Sequence, residues 1–287
     1  MKANETNTLK SAVPGGLRIA VGLLFVAMVS HASAEKLDVS GPITNAIGNE
    51  PPYTELKPDG TLSGAGPDID RAALKESGVT QFTGQTMPYG AMIPALQAGR
   101  VRMVSSGALV IRPERCQAVI FSEPVICNSD AFLVRGDLAN KLHSYKDIAA
   151  QSLKVAAPAG SVQEKSALAA GVKRENVIAY PDGTSAVKML KDKRIDAIVL
   201  NDSGVKELQK RANDPDLKMV LQISDAPVNC AAAAFKKSDT ALRDAYNAGL
   251  KKVVSSGEYK KIMDSYGLED NAKLLASAKP AAEQCRQ

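Results

Sequence analysis

The stretch Gly48 to Leu74, GNEPPYTELKPDGTLSGAGPDIDRAAL, sets an acid, Glu50, and a ring, Tyr53, three residues apart across two prolines. Proline fixes its own φ and has no N–H for a strand ladder. The segment is therefore a poor strand and a rigid ledge, and the segment alone leaves open what the ledge holds. A second tyrosine, Tyr89, stands in PYGAMIPAL. The residues by themselves favour ordinary core packing for both rings. Other chemistry is thin. Beyond the first 34 residues His143 is the single histidine, and there is no CxxC, which argues against a His-based triad and a Cys/His zinc site. Ser161 and Glu164 have the spacing of a capping box, which marks a helix start. No metal and no cofactor is expected.

These residues need a frame. Lys2, Lys10 and Arg18 precede an apolar run, Ile19 to Val29, that is too short to span a bilayer, and Ala32-Ser33-Ala34 fits a small-x-small cleavage site. Residues 1–34 read as a secretory signal cut after Ala34, with an uncleaved anchor as the plainer alternative. The whole-chain charge of +5 falls to +3 once three basic residues and one acid of that segment are removed. Lys and Arg are scattered, with no basic stripe of the kind a nucleic-acid surface needs. Four cysteines, Cys116, Cys127, Cys230 and Cys285, in an exported chain read as disulfides, with three pairings possible.

Strand-like and helix-like stretches alternate, which argues an α/β fold with mainly parallel sheets. The expected strands include an extended opening at Lys36 to Ile43, DAFLVR, LKVAAPAGS, ENVIAY, the near-continuous apolar IDAIVLND, and APVNCAAAAFKK. The expected helices include PDIDRAALKESG, AMIPALQAGR, SYKDIAAQ capped by Ser144, TSAVKMLKDKR capped by Thr184, and SDTALRDAYNAGLKKVVSSG. The tail from Leu268 is weakly patterned. Two pieces look alike, FSEPVICNSDAFLV and SDAPVNCAAAAFKK. They are either a coincidence of Ala/Val-rich sequence or the two crossings of a chain that enters a second lobe and returns.

Taken in order, NEPPY, GTLSGAGPDIDRAAL, YGAMIPALQAGRV, SGALVIRPERCQAVIFSEPV, PAGSVQE, GTSAVKMLKDKRIDAIVLND and FKKSDTALRDAYNAGLKKVVSSGEYKKIMDSYG resemble the family 3 solute-binding proteins of ABC importers. NEPPY, RPERC and AEQC look most like the ectoine/hydroxyectoine branch. The resemblance implies a two-lobed type II periplasmic binding fold with a hinge between the lobes: 35–124 and 227–287 in lobe 1 and the tail, 125–226 in lobe 2. It implies a periplasmic monomer that binds a small zwitterion, an ectoine-like compatible solute or a polar amino-acid derivative, and delivers it to a membrane permease. A periplasmic cyclohexadienyl dehydratase on the same fold, with Glu50 as acid or base, is the alternative.

Residue by residue, the resemblance sets Glu50 against a ligand cation and Tyr53 and Tyr89 over its face. Arg115 takes the carboxylate through a planar fork of donors, with Arg112 facing away. Ala108 and Val110 offer backbone groups to the same carboxylate. Ser161 offers a helix N-terminus or only caps its helix. Two positions depart. Val110 stands where amino-acid binders carry a hydroxyl residue and ectoine binders a third ring, and Asn201 replaces the usual Asp, which leaves Glu50 as the main counter-charge. The fold implied also sets the two crossing segments side by side, which pairs Cys127 with Cys230 and leaves Cys116 for Cys285 of the tail.

Overall fold

The structure is a computed structural model that describes residues 41–221 and 223–286. The signal expected over 1–34 and most of the extended opening from Lys36 lie outside the described residues. Two five-stranded sheets carry the fold. In the first, Ile43–Ile47 pairs in parallel with Phe82–Thr86 and Met103–Val104, and Ala234–Phe235 runs antiparallel between Met103–Val104 and Ile120–Phe121. In the second, Val177–Tyr180, Val155–Pro158 and Ala197–Asn201 are parallel, while Asp130–Arg135 lies antiparallel to both Ala197–Asn201 and Leu217–Val220. The sheets are therefore mixed, not mainly parallel. In each, a strand next to a crossing enters in the opposite direction.

The crossings form a ribbon. Ile126–Asn128 pairs antiparallel with Asn229–Ala231, with Cys127 opposite Cys230. The expected strand APVNCAAAAFKK thus divides: its first half joins this ribbon, and Ala234–Phe235 joins the first sheet. Disulfides join Cys127 to Cys230 and Cys116 to Cys285.

Helix Thr240–Ser255 carries Leu242, Tyr246, Leu250 and Val253 on one buried stripe, the pattern of a core-facing helix. It crosses helix Ala65–Leu74 so closely that a Cβ at Gly249 would lie 1.7 Å from the Ala73 carbonyl oxygen. In the second lobe all five residues of Ala197–Asn201 are buried, as expected of a strand covered on both faces. Helix Gly183–Lys191 is capped by Asp182, which accepts from the Ser185 N–H, and Thr184 lies inside its first turn. The expected Thr184 cap is corrected by one carboxylate two residues earlier that reaches the free amide. The tail is not irregular. It forms helices Glu269–Leu275 and Ala281–Gln284 and buries Leu268 and Asn271.

One buried carboxylate braces the loop that enters the cleft. Asp70 accepts from Ser105 Oγ at 2.6 Å, Tyr246 Oη at 2.8 Å and the Ser106 N–H at 3.3 Å. Burial pushes its carboxyl up to about 6, against the opposing pull of those bonds. Between the unfolded value near 4 and this one, the folded chain holds the extra proton, so stability rises as pH falls through that window. Wild type is expected to gain about 2 kcal/mol relative to Asp70→Asn between pH 7 and pH 4. Denaturant midpoints measured at both pH values check this, and parallel profiles would contradict it.

Candidate functional site

The ledge is a tight turn with a cis Pro51–Pro52 bond. The Glu50 carbonyl accepts the N–H groups of Tyr53 and Thr54, both at 3.0 Å. The turn sends the two side chains in different directions. Tyr53 is 2% exposed and packs among Ile43, Ala65 and Ile69 of the first core. Its hydroxyl accepts from Asn271 Nδ2 at 3.2 Å. A buried tyrosine needs such a partner, and the tail helix supplies it. Tyr53 supports the ledge from the core side and does not line the small cavity at Arg115.

Glu50 points the other way. Tyr89, at the start of helix Tyr89–Gln97, donates its hydroxyl to Glu50 Oε2, and Asn201 donates its side-chain N–H to Glu50 Oε1. Burial raises the Glu50 carboxyl above its ordinary value, and these two bonds oppose that rise. Asn201 is the last residue of its strand and the cap of helix Asp202–Ala212, where its Oδ1 accepts the Gly204 N–H at 2.8 Å. Its acceptor is thus engaged by the helix and its donor by Glu50. Asn201 ties the acid to the start of that helix.

Arg115 sits in helix Pro113–Cys116 and is 7% exposed. Its guanidinium donates to the Val110 carbonyl at 2.8 Å and, across the cleft, to the Gly160 carbonyl at 3.1 Å. Neighbouring Glu114 is paired with Lys165 at 2.7 Å instead, and no carboxylate among the described residues forms an ion pair with Arg115. Burial lowers its guanidinium to about 10. A buried, unpaired cation is costly, and an anionic group is the natural complement. Arg112 does face away and donates to Asn229 Oδ1.

Ser161 is 3% exposed and caps helix Val162–Ala169, accepting the Glu164 N–H at 3.1 Å. Glu164 returns its bond to the Gly160 N–H, not to that of Ser161. The Ala108 N–H donates to the Ser105 carbonyl at 3.0 Å, so the expected amide contribution of Ala108 is engaged within its own loop.

All the expected site residues except Tyr53 line one cavity of about 30 Å³, on the order of one water. Admission of a solute therefore requires the lobes to part. Asn128 and Gln163 also line it. The amide type of Gln163, two residues after Ser161 in PAGSVQE, is the one sequence signal for either. Gln163 donates to Asp130 Oδ1 at 2.8 Å, and Asp130 also accepts from Tyr145 and Asn229, a polar knot beside the ribbon.

The lobes touch at two glycines. Gly160 has φ +73°, and a Cβ there would lie 2.5 Å from the Gly90 nitrogen. Gly160→Ala is expected to weaken solute binding by about 1–3 kcal/mol through this clash. Gly90→Ala, whose Cβ would meet Gly160 Cα at 3.7 Å, is expected to leave affinity nearly unchanged. Calorimetry giving equal losses for both would contradict the contact.

Residues 43–269 match the family of bacterial extracellular solute-binding proteins, family 3. The chain belongs to this family. It is 31% identical to the probable amino-acid ABC transporter periplasmic-binding protein y4tE of Sinorhizobium fredii (strain NBRC 101917 / NGR234), over 93% of this chain and 90% of that one. It is similar to the crystal structure of EhuB in complex with hydroxyectoine, at TM-score 0.81 and 44% identity, covering 86% of this chain and 95% of that chain. It is also similar to the ancestral amino-acid-binding protein AncCDT-1, a precursor of cyclohexadienyl dehydratase, at TM-score 0.67 and 25% identity, covering 78% and 93%. The two-lobed type II periplasmic binding fold is common to this family and to the sheets and ribbon described above.

Proposed function

We propose that this chain is the periplasmic solute-binding component of an ABC importer and binds a small zwitterion between its lobes. The observation that carries this reading is Arg115, a buried guanidinium that lines the cavity and has no carboxylate partner among the described residues. A ligand carboxylate would take its fork, and the N–H groups at the Ser161 cap lie on the facing lobe. Glu50, fixed by Tyr89 and Asn201, would face the cationic end.

The ligand class is an ectoine-like solute or a polar amino-acid derivative with a delocalised or substituted nitrogen. Asn201 supports this preference over a primary ammonium, because it is uncharged where an Asp would supply a counter-charge. The ligand in the similar EhuB structure, hydroxyectoine, is of this class. The cage differs from a three-ring arrangement: Val110 is an aliphatic wall, Tyr53 is in the core, and Tyr89 is the one aromatic residue lining the cavity among the described residues. A binding role is favoured over a dehydratase because Glu50 is the one carboxylate lining that cavity among the described residues, and both its oxygens are held.

A thermal-shift screen tests the reading with ectoine, hydroxyectoine, betaines, and basic, acidic and neutral amino acids. A true ligand at a hundred times its Kd stabilises by about 2.7 kcal/mol. A flat response across all of these zwitterions would overturn it.

A further inference from the structure

The cavity at Arg115 has a larger neighbour among the described residues. Adjoining it at Glu50 and Tyr89 lies a chamber of about 480 Å³, within the range of roughly 300–1,000 Å³ typical of small-molecule sites. Both lobes wall it, the ledge at Glu50 and Pro51 on one side and helix Asp202–Ala212 on the other. Much of the wall is apolar, with Met87, Val187, Leu200, Leu208 and the ring of Tyr180.

The charged groups around it are mostly of one sign. Glu55, Asp182 and Glu207 stand against Arg211 alone, and three negative charges less one positive leave −2 before Glu50 is counted. Arg211 is held by Glu207 at 2.7 Å and reaches Glu55 at 3.9 Å, so its charge is already engaged within the wall. Burial, and then the charge of Glu50, push the Tyr180 phenol well above its ordinary value, which keeps it an uncharged ring. An apolar, aromatic chamber in a negative field favours an organic cation over a neutral or anionic solute of the same shape.

We propose that this chamber is a second ligand site, selective for an organic cation with a flat or apolar body, such as an arylamidinium, and separate from the carboxylate site at Arg115. It shares Glu50 and Tyr89 with that site, and it stands on the remaining chamber wall rather than on the zwitterion reading. Because both lobes line it, an occupant binds the closed arrangement better than an open one.

The test is calorimetric titration of the folded protein with benzamidine, its neutral analogue benzamide, and benzoate. Saturable binding of benzamidine is expected, with benzamide weaker by about tenfold or more and benzoate weaker still. Thr184 is exposed and lies on the chamber wall. Thr184→Arg is expected to weaken benzamidine about tenfold or more while leaving hydroxyectoine affinity within about threefold. Val187→Trp, which fills the chamber, is expected to do the same. Arg115→Ala is expected to weaken benzamidine far less than it weakens hydroxyectoine, by no more than the loss of its bridge to the Gly160 carbonyl. The proposal is overturned if benzamidine binds no better than benzamide, if neither chamber variant weakens it, or if Arg115→Ala abolishes it. The last result would move the cation to the carboxylate site.

Discussion

Arg115→Ala is expected to lower solute affinity by about 2–5 kcal/mol, roughly thirtyfold to several thousandfold. The size follows from what is left behind: a carboxylate enclosed between the lobes without its charged donor. Part of the loss comes from the protein itself, because the guanidinium also bridges the Val110 and Gly160 carbonyls across the cleft. Arg115→Lys separates the two contributions. Lysine keeps the charge and loses the planar fork, so its affinity is expected to fall between those of wild type and Arg115→Ala. Titration calorimetry with hydroxyectoine reads both variants. A loss below about tenfold for Arg115→Ala would remove this residue from the site.

Replacing Cys127 and Cys230 together by alanine is expected to cost about 2–5 kcal/mol of stability, a fall of roughly 4–20 °C in Tm for a chain of this size. The bond closes a separation of 103 residues across the two crossing strands, so the unfolded chain gains much freedom when it is lost. Cys116–Cys285 closes a longer separation, 169 residues, but that difference is worth only about 0.4 kcal/mol on a logarithmic scale. Its second cysteine follows the four-residue helix Ala281–Gln284, which can undock while the lobes stay folded. The smaller loss is therefore expected for Cys116→Ala/Cys285→Ala. Thermal denaturation of both double variants checks the order, and a larger loss for the tail pair would show that the tail is part of the global unfolding unit.

What could be read from residues alone was periodic or local. The buried stripe of Thr240–Ser255 and the unbroken apolar run of Ala197–Asn201 announce their elements through spacing. Ser144 and Ser161 cap their helices because each cap bond reaches only three residues. The same local logic misassigned one cap, since Asp182 and Thr184 both qualify by type and only geometry decides. Long-range facts were hidden. The Tyr53 hydroxyl meets Asn271, 218 residues away, and nothing in NEPPY encodes that partner. The double duty of Asn201, cap to its own helix and donor to Glu50, needs two lobes in contact. The convergence of Glu50, Arg115, Ser161 and Asn201 on one cavity came into view only through the ordered likeness to a family, because no spacing along the chain links them.

The most direct measurement is a ligand-side test of the charge at Arg115. Hydroxyectoine and its carboxamide differ in one group, an anionic carboxylate against a neutral amide of nearly equal size. Calorimetric titration of the wild-type protein with each is expected to give saturable one-to-one binding for hydroxyectoine. The carboxamide is expected to bind more weakly by about 2 kcal/mol or more, roughly thirtyfold. Equal affinity for the two, or hydroxyectoine binding that survives Arg115→Ala unchanged, would contradict the account.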